Sequence, residues 1–310
     1  MSGHGRSGGR PTLEEVAARA GVGRGTVSRV VNGASGVSAR TRAAVEAAVE
    51  ELGYVPNRAA RALASNRADA VALVVPEPQS RFFAEPYFSD MVRGVGAALA
   101  ETDVQLVLTL AGSDRERRRL ARYLAAHRVD GVLLVGVHAE DPLPELLAGL
   151  GIPAVVSGRR SAAEPLPCVD CDNLAGAAGA VGHLLDRGRH AVATVTEPLD
   201  ITEEGGRRAM RELLERRPDL DAVFAASDVM ALGARRELRA AGRLIPGDAA
   251  LVGFDDSVAA RHMEPPLTSV RQPVEEMGRA MARILLSGLA GEPGDEAVVL
   301  PTELVVRESS

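Results

Sequence analysis

Two series of short apolar runs, each run followed by an amphipathic segment, constrain the fold of this chain more than any other feature. The first series reads AVALVVP at 70–76, VQLVLTL at 104–110, GVLLVGV at 131–137 and PAVVSG at 153–158, with helices expected near 86–101, 114–127 and 142–149. The second reads AVATVT at 191–196, AVFAAS at 222–227 and AALVGF at 249–254, with helices over 173–187, 203–217 and 228–241. Runs that are apolar throughout fit parallel strands covered on both faces. Alternating strands and helices predict an α/β fold with a doubly wound parallel sheet, and two series predict two such sheets. Ligands of that architecture bind at the carboxyl ends of the strands, here in a cleft between two halves.

The first 68 residues follow a different pattern. Residues 1–10 are Gly, Ser and Arg with little to bury, and read as a disordered tail. Thr12 with Glu15 three residues later is a capping box that opens a helix, with Leu13, Val16, Ala17 and Ala20 on one face and Gly21 as its end. A second helix runs from Arg24 to Asn32, and Ser38 caps a third with Val45, Ala48, Val49 and Leu52 inside. Two short helices around a glycine turn, followed by a supporting helix, describe a helix-turn-helix. Residues 57–67, NRAARALASNR, contain no acid and only Leu63 as a large apolar group, so they suit a DNA-facing linker better than a core.

Charge divides the chain at the same place. Residues 1–68 carry +5 and residues 69–310 carry −11, within a formal net charge of −6. A small basic head on an acidic body calls for an anionic partner of the head alone. All 36 basic residues are arginine, which excludes a P-loop ATPase, a pyridoxal Schiff base and any lysine nucleophile. There is no GxSxG elbow and no HExxH, so no catalytic residue is expected and an enzyme is disfavoured. Cys168-x-x-Cys171 has no second pair to complete a zinc ribbon, so neither a metal nor a cofactor is expected, and the pair reads as small residues near a strand end. No 18-residue apolar stretch suggests a membrane span, and the N-terminus has no h-region; the expected compartment is the cytoplasm.

The segment TLEEVAARAGVGRGTVSRVVNGASGVSARTRAAVEAAVEELGYVPNRAARAL resembles the N-terminus of the lactose-repressor (LacI/GalR) family of bacterial transcription regulators. The body is similar to the family as well, in VALVVP, FFAE, VDGVLLV, GIPAVVSGR, ASDVMALGA, VGFDDS, PPLTSVRQP and LPTELVVRES. The resemblance implies a homodimeric repressor that binds a palindromic double-stranded operator, with a periplasmic-binding-protein-like core. The expected division is a helix-turn-helix domain at 11–56, a hinge at 57–68 and a core at 69–310. Within the core, one subdomain is expected over about 69–159 plus 273–290, and the other over about 160–272 plus 291–310. The chain ends at VVRESS with no heptad extension, so a tetramer is not expected.

In a helix-turn-helix the second helix enters the major groove by its N-terminal end, where Arg24 lies, with Arg29 five residues on. Arginine reads guanine O6 and N7 bidentately. Thr26, Ser28 and Asn32 are short donors suited to phosphates, and the Ser38 helix start offers free N–H groups to another. Thr12 and Asn57 complete the expected DNA-contacting set. Leu63 matches the family's linker leucine, which wedges into the minor groove. Gly25 departs from the pattern, since many members carry a DNA-contacting side chain there.

For the core the resemblance implies a small effector, usually a sugar or nucleobase. Phe83 matches a position that stacks on the ligand, and Asp255 one that holds its hydroxyls or amines. Arg159 and Ser227 sit at strand ends beside it, with Ser227 in place of the family's usual Asn. Phe83 also reads as a core residue, and Asp255 as a cap after its strand. A larger departure lies between residues 196 and 203, where VTEPLDITEEGG runs straight into the next helix. The family places a helix with an Arg-x-x-Gly-Tyr motif and another strand there, and that arginine is a principal effector ligand. The second subdomain is therefore expected to lack one helix and one edge strand, which leaves strand 191–196 as an edge. The alternative function is a DNA-binding regulator that has lost effector sensing.

Overall fold

Thr12 opens the first helix, α1 (Leu13–Ala20), through both halves of a capping box: its Oγ1 accepts from the Glu15 amide, and its own amide donates to Glu15 Oε2 at 2.7 Å. Gly21 closes α1 at φ 67, a left-handed conformation that a side chain would strain. After α2 (Arg24–Val31), Ser38 caps α3 (Ala39–Leu52) by accepting from the Thr41 amide. Val16, Val27, Val30, Val45, Ala48 and Tyr54 close one small core among the three helices.

The computed structural model describes residues 11–31, 36–54, 67–138, 141–159, 164–196, 201–292 and 296–310. It divides the chain into two units, 1–68 and 69–310. The expected tail at 1–10, Asn32, and hinge positions 57–66 with Asn57 and Leu63 lie outside the described residues.

The larger unit holds two sheets. In chain order its elements are β1 (Ala70–Val75), α4 (Gln79–Ala84), α5 (Pro86–Leu99), β2 (Gln105–Leu110), α6 (Asp114–Ala125), β3 (Gly131–Leu134), α7 (Leu143–Leu150), β4 (Ala154–Ser157) and β5 (Cys168–Cys171). There follow α8 (Asn173–Asp186), β6 (Val192–Val195), α9 (Glu203–Arg216), β7 (Ala222–Ala225), α10 (Asp228–Ala240), β8 (Ala250–Asp255), α11 (Val258–His262) and β9 (Thr268–Arg271). The chain then adds α12 (Val274–Ala290), β10 (Ala297–Leu300) and β11 (Glu303–Val305). The first sheet has the order β10-β5-β4-β3-β1-β2, and all its pairs are parallel. The second has the order β11-β9-β8-β7-β6, with only β11 antiparallel.

Glycines let the helices on each sheet approach closely. A Cβ on Gly94 of α5 would stand 2.0 Å from the Glu275 carbonyl oxygen, and one on Gly278 of α12 would meet Met91 O at 2.6 Å. The second sheet repeats the device: Gly206 of α9 faces Met230 O at 2.3 Å, and Gly233 of α10 faces Glu203 O at 2.0 Å. Backbones in such contact leave no room for a methyl group.

Cys168 and Cys171 are the first and last residues of β5, at strand ends as the sequence reading has them, and both are free and buried. Three features correct the sequence reading. β5 and β10, placed in the second subdomain by the expected boundaries, pair with each other and with β4 in the first sheet, because the chain crosses between the sheets more than once. Not every strand is covered on both faces: β2 has no buried residue, as befits an edge strand. Short α4, α11, β9, β10 and β11, and the longer α12, fall outside the two series of apolar runs and amphipathic segments. Among the described residues β6 lies at the edge of its sheet. Among the described residues no helix is long and apolar enough to cross a membrane.

Candidate nucleic-acid interface and effector cleft

In the helical unit, α2 turns Val27 and Val30 inward and leaves Arg24 and Arg29 exposed. Arg24 Nε lies 3.2 Å from Glu14 Oε1, an exposed pair that water screens and that costs little to exchange for another anion. Arg29 Nε donates back to the Gly25 carbonyl at 3.4 Å. Thr26 and Ser28 are half-buried on the same helix, and a Cβ added at Gly25 would meet nothing within 4 Å. The hydroxyls of Thr12 and Ser38 cap α1 and α3, so each marks a helix N-terminus whose amides point outward.

The larger unit has a cleft of 920 Å³ at the carboxyl ends of both sheets, lined among others by Phe83, Glu85, Tyr87, Ser227, Asp255 and Gln272. Three of the four expected effector residues therefore converge. Phe83 is 78% exposed, so it is not core. Ser227 is buried and caps α10, its Oγ accepting from the Met230 amide, while still bordering the cleft. Asp255 ends β8 at φ 109 and does not cap the helix that follows, which Ser257 caps. Arg159 is absent from the cleft wall: it is exposed, and its backbone amide donates to Asp170 Oδ2 at 3.2 Å.

The sequence did not single out the groups that hold Asp255. Gln272 Nε2 donates to its Oδ1 at 2.6 Å. Burial, and then the nearby Asp228 carboxylate, push the Asp255 carboxyl well above the usual carboxylate range. Asp228 is fully buried at the start of α10 and accepts from Ser269 Oγ and the Ser257 amide, each at 2.6 Å. Burial pushes it up to about 6 despite those bonds. Burial also pushes Tyr87 up to about 12, so its hydroxyl stays protonated beside Ser157 Oγ at 2.8 Å. Asp256, next in the chain, is locked by Arg271 at 2.8 Å and by Arg307. The cleft thus offers an apolar aromatic lip and a floor of hydrogen-bonding groups, a pattern that suits a polyhydroxylated ligand. Among the described residues no cluster of His, Cys, Asp or Glu could hold a metal ion.

Residues 12–57 match the family described as bacterial regulatory proteins, lacI family. Residues 68–200 match the periplasmic binding proteins and sugar binding domain of the LacI family, and residues 174–310 match a periplasmic binding protein-like domain. The chain is 49% identical to the HTH-type transcriptional regulator CelR of Thermobifida fusca, across 97% of this chain and 98% of the relative. It is 36% identical to the HTH-type transcriptional regulator reg1 of Streptomyces lividans, across 96% of each. A solved transcriptional regulator CelR–cellobiose complex superposes with a TM-score of 0.76 at 47% identity, covering 97% of this chain and 100% of that one. The lac repressor dimer bound to operator and the anti-inducer ONPF superposes with a TM-score of 0.82 at 27% identity, over 97% and 99%. The chain therefore belongs to the LacI family of bacterial regulatory proteins, as a DNA-binding transcriptional regulator with a helix-turn-helix head and a periplasmic-binding-protein-like core.

Proposed function

We propose that this regulator is a cytoplasmic repressor that binds a palindromic operator as a homodimer and responds to a neutral sugar, a β-linked glucose disaccharide being the leading candidate. The observation that carries the effector reading is the convergence of Phe83, Ser227 and Asp255 on one cleft. An aromatic face packs against the C–H face of a pyranose, and a carboxylate accepts its hydroxyl protons. The similarity to a regulator solved with cellobiose supports that class. Arg24 and Arg29 supply base readout; Thr12, Thr26, Ser28, Asn32, Ser38 and Asn57 supply phosphate contacts, and Leu63 the minor-groove wedge. The homodimer is supported by β2, an uncharged edge strand, QLVLTL, whose Leu108 is exposed. The direct test is calorimetric titration with cellobiose and other neutral disaccharides. Saturable one-to-one heat is expected, and no heat from any of them contradicts the sugar reading.

One observation favours a second reading, a regulator that binds DNA without sensing. Among the described residues β6 lies at the edge of its sheet, and the match to CelR runs over 334 aligned positions where this chain has only 310 residues. A helix and a strand of the second subdomain, with the arginine the family uses for its effector, fit that difference. Sequence-specific DNA binding that no sugar alters would favour this alternative.

A further inference from the structure

Helix α4 carries Phe83 to the lip of the cleft, yet it buries none of its six residues. Packing alone is a weak hold on such an element. Its tether is polar. Arg81 stands four residues from an acid on each side: Nη1 donates to Glu77 Oε1 at 2.7 Å, and Nε donates to Glu85 Oε1 at 2.7 Å. Both anchor points are fixed. Glu77 is 4% exposed, its Oε1 also lies 2.7 Å from His138 Nε2, and a Cβ on Gly112 would stand 2.5 Å from its carbonyl. Glu85 immediately precedes α5, where the helix dipole favours its charge, and it lines the cleft. Arg81 itself is only a quarter exposed, so its pairs are shielded better than surface pairs are. The Phe83 ring stands edge-on to Phe82 with centroids 5.1 Å apart, and Phe82 lies against buried Phe88 at 5.5 Å. Phe83 therefore has one ring contact behind it and the Arg81 clamp beneath its helix.

We propose that Arg81 is the positioning residue of the aromatic lip: by bridging Glu77 and Glu85 it holds α4 so that Phe83 stands over the ligand, and it thereby sets affinity for ligands that present a flat C–H face. The ligand half of this statement rests on the sugar reading above. The clamp half stands on geometry alone. Arg81 touches no ligand and acts through Phe83.

Two measurements on the full chain test it, with Arg81→Gln as the variant. Hydrogen–deuterium exchange without ligand should show the amides of residues 79–85 exchanging about tenfold faster, with the body of α5 still protected. Calorimetry with cellobiose should show about tenfold weaker binding for Arg81→Gln, and no further loss when Arg81→Gln is added to Phe83→Ala, because the two act as one unit. Arg81→Lys reaches only one carboxylate at a time and should fall between. Unchanged exchange at 79–85 overturns the clamp. Losses that multiply in the double variant overturn its action through Phe83. A wild-type chain that binds no neutral sugar overturns the ligand half together with the sugar reading, while the exchange rates still decide the clamp.

Discussion

Gln272 Nε2 donates to Asp255 Oδ1 at 2.6 Å, and the other end of the same amide, Oε1, accepts from Cys171 Sγ at 3.2 Å. One side chain thus joins β5 of the first sheet to the end of β8 in the second. Gln272→Leu keeps the volume and removes both bonds. It should weaken sugar binding by about tenfold, since Asp255 would lose its orientation. A calorimetric Kd for the variant equal to that of the wild type would remove Gln272 from the account.

Asp255 should also make binding depend on pH. Ligand hydroxyls donate to the carboxylate, so affinity should rise as the carboxyl loses its proton. Burial and Asp228 hold that proton well above the usual carboxylate range, so the loss of affinity on acidification should begin at a higher pH than an ordinary aspartate gives. Titrations at a series of pH values would show the slope, and Asp255→Asn should abolish it along with most of the affinity.

Asp228 bears on stability. Burial holds its folded-state pKa up to about 6, above the ordinary aspartate value of 3.8, so the folded chain keeps a proton that the unfolded chain has lost. Stability from this group is therefore present at low pH and lost as pH climbs between those two values. Across that window Asp228→Asn should gain on the wild type by on the order of 3 kcal/mol, whatever constant cost its lost bonds impose. Urea denaturation of both proteins at a series of pH values measures the difference. A pH-independent gap would mean that Asp228 is not strained by its burial.

The glycine crossings predict where the core accepts no methyl. Gly94→Ala and Gly233→Ala each place a Cβ 2.0 Å from a carbonyl oxygen of the facing helix. Each should destabilise its subdomain by about 1–3 kcal/mol or more, read as a lower melting temperature. Gly25→Ala is the control, with nothing within 4 Å of the new methyl. It should stabilise the head by up to about 1 kcal/mol through helix propensity while leaving the core's transition unmoved.

Much of this fold is written in local signals that tertiary structure did not override. Thr12, Gly21 and Ser38 mark helix ends by side-chain and backbone chemistry alone, and the structure keeps all three. The apolar runs at β1, β3, β7 and β8 are buried at nearly every position, so composition exposes them. β5 escapes because CVDC is four residues long with an acid inside, and β9, TSVR, because three of its four residues are polar. α4 could not be seen by periodicity because it has no buried face. In the cleft, Phe83, Ser227 and Asp255 were reachable through resemblance, whereas Arg159 was misplaced because the end of a strand does not say which way the following loop turns. Gln272 lies in the quoted VRQP motif, yet no local rule assigns it a partner 17 residues away. Asp228 had a possible signal, an acid beside the helix-capping Ser227 between apolar neighbours, but its burial depends on Ser269 and Ser257 arriving from elsewhere.

The central claim, a DNA reader governed by a sugar, is tested most directly by selecting duplexes from a random pool with the purified chain at fixed physiological salt, then eluting with cellobiose. The account predicts enrichment of a palindrome with G·C pairs opposite Arg24 and Arg29 and a flexible pyrimidine–purine step at its centre, and release of that DNA by the sugar. Retention of bulk DNA without sequence enrichment, or an enriched palindrome that neither cellobiose nor any other neutral disaccharide releases, would contradict it.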